Sequence, residues 1–164
     1  MDFFEATAAV EKFTEAMSEV FGNVEIRPVW GPDAPEIGDW SNPTSLGLPV
    51  SGDGVGRHCG LYFFLAPGGA IIYIGKATKN NIHHRVWDHL STPDPIEDGR
   101  RLFPRSKFKM PIDADALQCF HAGTARLGLV LFSEALTVSL VEVYLQTLYL
   151  QRHGALPALN KQIG

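Results

Sequence analysis

The stretch GLYFFLAPGGAIIYIGKATKNNIHHRVWDHL, residues 60–90, predicts two strands joined by a tight turn and followed by a helix. Residues 61–65 and 71–74 are mostly aromatic or β-branched, and such side chains favour strands. Between them, the sequence Ala-Pro-Gly-Gly at 66–69 has proline and glycine at the central positions of a turn. We therefore expect a hairpin, with one of the asparagines at 80–81 capping the helix.

The hairpin and helix also present four side chains of chemical interest. If residues 67–68 form a two-residue loop, Tyr62 pairs directly with Tyr73, and their phenols lie side by side on one face of the sheet. In the helix, Arg85 and His89 are four residues apart and therefore lie on the same side. These residues are the first candidates for a functional site.

Five features of the sequence resemble the GIY-YIG nuclease family in kind and in order. They are Gly60-Leu61-Tyr62, then Tyr73-Ile74-Gly75 followed by Lys76-Ala77, then Arg85, Glu142 and Pro157-Ala158-Leu159-Asn160. The lysine and alanine after the second motif match the excision-repair members. Arg85 falls where the family has an arginine in its first helix. The resemblance covers about residues 59–161.

The resemblance implies a small α/β (α+β) fold, with a central, mainly antiparallel three-stranded sheet flanked by helices. Residues 58–164 would form this catalytic domain, with the third strand at 116–122. Residues 127–132 are either a further strand or the start of the last helix, which Ser133 caps and which ends near Gly154. Residues 1–57 would be an extension, with a helix at 3–21, a strand at 24–30 and a long irregular segment rich in glycine and proline.

The same resemblance implies that the protein would be a metal-dependent nuclease that hydrolyses nucleic-acid phosphodiester bonds, with a DNA endonuclease expected first. Arg85 and Glu142 would be its essential pair. The planar guanidinium of Arg85 suits a transition-state phosphate, because it pairs two oxygens and stays charged. Glu142 would bind one Mg²⁺ or Mn²⁺ ion. Gly75 would allow a close approach of backbone, and Asn160 would fix the C-terminal segment or orient the site.

Further side chains are expected to assist. Tyr62, beside Lys76, is a candidate general base, since a neighbouring cation and a metal-bound water lower the cost of proton transfer. Tyr73 would then position the water or the phosphate, although either tyrosine could hold the base role. His89 is expected to contact phosphate or to assist as a base.

Several alternatives stay open on the residues alone. Glu142 lies on a mostly apolar helix, where a carboxylate needs a partner, and a salt bridge to Arg85 would serve as well as a metal. Arg85 also follows Tyr73 at a longer spacing than in the compact repair-type members, which favours a catalytically weak or inactive nucleic-acid-binding module of the same fold. A small-phosphodiester hydrolase is a third alternative. His84 and Asp88 could hold zinc, but no third ligand lies on their face, and zinc needs three or four ligands.

The net charge of −4 argues, taken alone, against a nucleic-acid partner, but the charge is distributed unevenly along the chain. Residues 1–53 hold two basic and ten acidic side chains, whereas residues 76–109 hold eight basic and four acidic ones. Basic side chains interleaved with aromatic ones suit nucleic acid, but they also occur in solvated loops whose phenylalanines anchor to the core. The candidates for nucleic-acid binding are Lys79, Arg100, Arg101, Arg105, Lys107 and Lys109.

The remaining composition is that of an ordinary globular protein. The sequence has two cysteines and no apolar run long enough to span a bilayer, which indicates no membrane association and favours a reducing cytoplasm. No zinc-finger or helix-turn-helix pattern is visible. Substrate specificity would therefore come from loops of the core, from a homodimer or from a partner protein.

Overall fold

The computed structural model describes residues 1–39, 55–90, 94–95, 100–103, 108 and 113–164. The helices in this part of the chain are α1 (Phe3–Ala16), α2 (Ser18–Phe21), α3 (Ile82–Leu90), α4 (Ala114–His121) and α5 (Ala135–His153). The strands are β1 (Ile26–Trp30), β2 (Cys59–Leu65), β3 (Ile71–Ala77), β4 (Asp94–Pro95), β5 (Arg101–Leu102) and β6 (Arg126–Phe132). None of the helices found in these residues is long and apolar enough to cross a membrane.

Four strands form an antiparallel sheet in the order β1-β6-β2-β3, and β4 pairs separately with β5. The predicted α+β class with an antiparallel sheet is therefore confirmed, but the predicted count of three strands is wrong. The additional strand is β1, which comes from the segment 1–57 and pairs with β6 from Ile26 opposite Phe132 to Trp30 opposite Gly128. This pairing satisfies backbone groups of β6 that an open edge would expose.

The segment predicted as the third strand, residues 116–122, is instead part of helix α4. Asp113 caps this helix, because its Oδ1 accepts hydrogen bonds from the backbone N–H groups of Asp115 and Ala116. Ala116 and Phe120 are buried and lie four residues apart, which is helical spacing. The strand that pairs with β2 on the side away from β3 is β6, so the strand alternative for residues 127–132 is confirmed.

The hairpin of β2 and β3 forms with a different register from the predicted one. Tyr62 lies opposite Gly75, and Phe64 lies opposite Tyr73. The turn forms at 66–69 as predicted, with the N–H of Gly69 bonded to the carbonyl of Ala66. The predicted direct pairing of Tyr62 with Tyr73 is nevertheless wrong, because the N–H of Ala66 bonds to the carbonyl of Ala70 and the register shifts again after Phe64. The two tyrosines are instead diagonal neighbours on one face, with ring centroids 5.8 Å apart.

Each face of the sheet carries its own apolar core. Tyr62 and Phe64 project into a cluster with α3 and α4, whereas Leu61 and Phe63 project into a cluster with α1 and α5. Strand β2 is therefore buried on both faces, although it belongs to an antiparallel sheet. This arrangement leaves β3 at one edge of the sheet, between the helices of the two faces.

The ends of several helices differ from the prediction. The helix expected over residues 3–21 is interrupted at Met17 and forms α1 and α2. Ser133 does not cap α5, which follows Glu134; the Ser133 hydroxyl accepts a hydrogen bond from the backbone N–H of Glu25 instead. Gly154 ends α5 as predicted, because it adopts a left-handed conformation with φ of 72°. Asn81 precedes α3, but its Oδ1 is buried and makes no hydrogen bond within the described residues, so the expected cap is not formed there.

Candidate active site at the sheet edge

A cavity of about 470 Å³ opens beside β3, at the edge of the sheet. Its walls come from β3, α3, α5 and the segment that follows α5. The predicted site residues that line it are Tyr73, Gly75, Lys76, Arg85, His89, Glu142 and Asn160. Side chains that are far apart in sequence therefore meet in one place.

The exposed edge of β3 is held by side chains rather than by another strand. Asn160 accepts a hydrogen bond from the backbone N–H of Ile74 and donates one to the carbonyl of the same residue, both at 2.8 Å. Gln146 donates a longer bond of 3.3 Å to that carbonyl. Farther along the edge, Nε of Arg85 donates to the carbonyl of Lys76 at 3.3 Å. The amide of Asn160 thus replaces a strand partner and fixes the C-terminal segment over the cavity.

Glu142 is the buried carboxylate of the site. It is 4% exposed, and its Oε2 lies 2.8 Å from Nζ of Lys76, whose side chain is 30% exposed. No hydrogen bond of good geometry reaches Oε2 within the described residues, so the contact is an ion pair. The salt bridge considered with Arg85 is not formed. Lys76 projects toward α5 on its face of the sheet, whereas Arg85 belongs to a helix that packs on the other face.

Arg85 is oriented by its backbone contact with Lys76. Its side chain is 46% exposed, and its only ion pair within the described residues is a 3.8 Å contact with Asp88. Asp88 is itself exposed, so this pair adds little stability and leaves the guanidinium able to bind a phosphate. Arg85 lines the cavity, and its guanidinium has N–H donors besides the Nε–H that bonds to Lys76.

Tyr62 and Tyr73 occupy different environments. Tyr62 is fully buried, does not line the cavity, and its hydroxyl lies 3.1 Å from Nε2 of His89. Burial raises the pKa of the Tyr62 phenol above its ordinary value, and the neighbouring Tyr73 raises it further. Burial also raises the pKa of Tyr73, although contact with Tyr62 opposes that shift. Tyr62 is also not beside Lys76, because the two side chains project from opposite faces of the sheet.

The ring of Tyr62 occupies the space above Gly75. A Cβ atom added to Gly75 would lie 2.3 Å from Cζ of Tyr62. The backbone approach expected at this glycine therefore involves the buried tyrosine and not a ligand. Any larger residue at position 75 would displace the ring and, with it, the contact between Tyr62 and His89.

His89 is held by aromatic rings on several sides. It stacks in parallel on Phe108, with centroids 5.2 Å apart and an interplanar angle of 1°, and it packs edge-on against Tyr73 at 4.9 Å. Together with the contact to Tyr62, these rings fix the orientation of the imidazole at the cavity wall. An imidazole is the side chain best able to accept and release a proton near neutral pH.

The basic residues predicted to bind nucleic acid do not form one surface in the described part of the chain. Lys79 is exposed just after β3. Arg100 forms an ion pair with Glu36, and the backbone of Arg101 bonds to the carbonyl of Gly38, so this stretch attaches the N-terminal segment to the core. The other three candidates, Arg105, Lys107 and Lys109, lie outside the described residues.

Some lining residues were missed in the sequence, and one alternative finds no support. Gln146 bonds both to Ile74 and to the backbone N–H of Gly164, and its spacing of four residues from Glu142 is the signal that could have indicated it. Phe108 had no such signal.

Within the described residues, no group of three or more His, Cys, Asp or Glu side chains could hold a metal, so the zinc arrangement considered around His84 is not assembled there.

Comparison with known proteins gives no family. No family model matches the chain, no curated protein matches it, and no solved structure matches it. The function therefore has to be inferred from the chemistry of the cavity itself.

Proposed function

We propose that the protein is a divalent-metal-dependent nuclease that hydrolyses phosphodiester bonds of nucleic acid, with DNA the expected substrate. One observation carries the proposal: an arginine, a lysine, a buried carboxylate and a phenol from three elements line a single cavity. Two cations there can neutralise a phosphate, and a carboxylate can hold a hard metal ion. These are the groups that phosphodiester hydrolysis requires.

Glu142 would hold the metal ion. Its carboxylate lines the cavity, and the ion pair of its buried Oε2 with Nζ of Lys76 is evidence that this atom accepts a cation. A Mg²⁺ or Mn²⁺ ion commonly takes only one or two protein carboxylates and keeps several waters, so one such ligand fits the donor set. When bound, the ion would supply a Lewis acid for the phosphate and would make a bound water more acidic.

The other side chains would bind and orient the substrate. Arg85 would pair with the phosphate through the donors that its contact with the Lys76 carbonyl leaves available. The phenol of Tyr73 is protonated at neutral pH, as an ordinary tyrosine is, and burial raises its pKa further, so it would donate a hydrogen bond to the phosphate or the attacking water. His89 would accept the proton of that water, held in position by Tyr62. Tyr62 would thus be a positioning residue.

A second candidate is a nucleic-acid-binding module of the same architecture without turnover. The observation that favours it is the ion pair between Glu142 and Lys76, which already gives the carboxylate a cation. In a nuclease, the divalent ion would have to share the Glu142 carboxylate with Lys76 or displace Lys76 from it. Binding of metal therefore distinguishes the two candidates before any cleavage is measured.

The test combines metal binding with cleavage. Mn²⁺ binding and cleavage of plasmid, branched and single-stranded DNA and of RNA would be compared between wild type, Glu142→Gln and Arg85→Ala. We expect Glu142→Gln to lose Mn²⁺ binding, and each variant to lose cleavage by about 10²-fold or more. Glu11→Gln and Arg152→Ala, at exposed positions on α1 and α5, are matched controls and should match wild type.

Other outcomes would identify the alternatives. Nucleic-acid binding without cleavage, and without Mn²⁺ binding, would support the binding module. Hydrolysis of a small phosphodiester that depends little on salt would support the small-substrate hydrolase, because duplex binding weakens steeply with salt. Full activity of the Arg85→Ala variant would show that Arg85 takes no part in catalysis.

A further inference from the structure

A second cavity, of about 650 Å³, adjoins the candidate active site. The two cavities share Leu159, Asn160 and Lys161, so the segment at 157–161 separates them. The rest of its wall comes from the end of α5, the residues just after it and Asp113. Apart from Asn160, none of the residues assigned above to phosphodiester hydrolysis lines this second cavity. Its chemistry is therefore separate from the cleavage step.

One wall of the second cavity is aromatic. The rings of Tyr149 and His153 lie with their centroids 4.5 Å apart. The Tyr149 hydroxyl donates to the carbonyl of Ile71 at 3.3 Å, and Nε2 of His153 lies 2.6 Å from the amino group of Met1. Both rings are thus held in place from outside the cavity. Fixed aromatic surfaces of this kind are what nucleic-acid bases stack on.

The charged side chains of the second cavity favour an anion at the junction. Lys161 is exposed, lines both cavities and has no ion pair within the described residues. The carboxylate that lines the same cavity is Asp113, whose Oδ1 already accepts hydrogen bonds from the backbone N–H groups of Asp115 and Ala116 in α4. Those N–H groups partly neutralise Asp113, whereas no ion pair in the described part of the chain neutralises Lys161. A phosphate that passes from one cavity to the other would meet this lysine.

We propose that the second cavity holds the continuation of the substrate strand, as a single polynucleotide chain that extends from the cleaved phosphate across Lys161. One phosphate would pair with the Lys161 ammonium, and a base beyond it would stack on the surface formed by Tyr149 and His153. This inference rests on the proposed nuclease function and adds a subsite to it. It predicts that a longer strand binds more tightly than a dinucleotide, because only the longer strand reaches the second cavity.

The test uses opposite charges at Ala155, an exposed residue that lines the second cavity and not the first. Binding of fluorescein-labelled single-stranded DNA of about 12 nucleotides would be measured in EDTA, beside a labelled dinucleotide. We expect Ala155→Lys to strengthen and Ala155→Glu to weaken binding of the longer strand, each by about threefold or more at low salt. The dinucleotide should respond to neither. Lys161→Gln should lower the salt dependence of binding by about one phosphate contact.

The matched control is the same pair of changes at Ala8, which is exposed on α1 and lines none of the described cavities. If the two Ala155 variants change the affinity for the longer strand no more than the two Ala8 variants do, the change in affinity comes from net charge alone and the subsite is refuted. If wild type binds or cleaves nucleic acid while the Ala155 pair has no effect, only the subsite is lost. If wild type neither binds nor cleaves any strand, the nuclease proposal fails as well.

Discussion

Tyr62 and Tyr73 share one face of the sheet, yet only one of their hydroxyls can reach a substrate. Tyr73 lines the cavity, whereas Tyr62 is buried beneath it, above Gly75, with its hydroxyl near His89. Because burial raises both pKa values, neither phenol is a good base at neutral pH. At the level of single residues, the two tyrosines should therefore contribute differently to catalysis.

Replacing each tyrosine by phenylalanine separates these contributions. In the proposed nuclease, Tyr73→Phe should lower kcat by about 10²-fold, because a hydrogen-bond donor at the phosphate is lost. Tyr62→Phe should cost less than about tenfold, because it removes only a contact that positions His89, and it should change the pH profile through that imidazole. Single-turnover kinetics would measure both. If Tyr62→Phe were the more damaging change while the fold was intact, the general-base role would return to Tyr62.

At the level of elements, the edge of β3 depends on one asparagine. The N–H and carbonyl of Ile74 both bond to the Asn160 amide, and the backbone N–H of Leu159 bonds to the carbonyl of Ile72 at 2.8 Å. The segment after α5 therefore covers the edge without forming a strand. This covering protects the edge from pairing with other chains and forms the wall between the two cavities.

Asn160→Ala should destabilise the protein by about 1–3 kcal/mol, because the backbone N–H of Ile74 would lose its partner and the carbonyl would keep only the longer bond from Gln146. Urea denaturation would measure the change in the free energy of unfolding. Amide hydrogen exchange should also become faster at Ile74. The control is Gln162→Ala, two residues away at an exposed position. Equal stability of the two variants would show that water replaces the asparagine without cost.

Most elements could be predicted from sequence because each depends on local composition. The β2–β3 hairpin and α5 have long apolar runs and clear turn residues, and both form near their predicted limits. The sequence of α4 predicts a strand instead of a helix because the segment is short. In so few residues, apolar side chains two apart, as in a strand, cannot be distinguished from apolar side chains four apart, as in a helix. The predicted hairpin register differs from the observed one because Ala66 pairs with Ala70 and the register shifts again after Phe64, and no residue propensity indicates either shift.

The sequence could predict which residues belong to the candidate site but not which of them contact one another. The order of the motifs was enough to group Arg85, Glu142 and Tyr73, which do line one cavity. The partner of Glu142 could not be predicted, because it depends on which side chain of β3 projects toward α5. The burial of Tyr62 likewise depends on the register that places it above Gly75.

For the molecule as a whole, burial of both faces of the sheet makes the free energy of unfolding depend on pH in the alkaline range. Burial raises the pKa values of Tyr62, Tyr73 and Tyr149, and also those of the Cys59 and Cys119 thiols. A group with a raised pKa in the folded state binds its proton more tightly there than in the unfolded chain. Its contribution to stability is therefore complete below the unfolded pKa and is lost as the pH rises through the folded pKa.

The free energy of unfolding should consequently fall from about pH 9, where the thiols of the unfolded chain ionise, and more steeply above about pH 10, where its tyrosines do. Urea denaturation at a series of pH values would measure this fall, and absorbance near 295 nm would report phenolate. Tyr62 should ionise only as the protein unfolds, because its hydroxyl is fully buried. Tyr62→Phe should therefore lessen the fall above pH 10. An unchanged slope in that variant would mean that Tyr62 ionises within the folded protein and that its surroundings admit water.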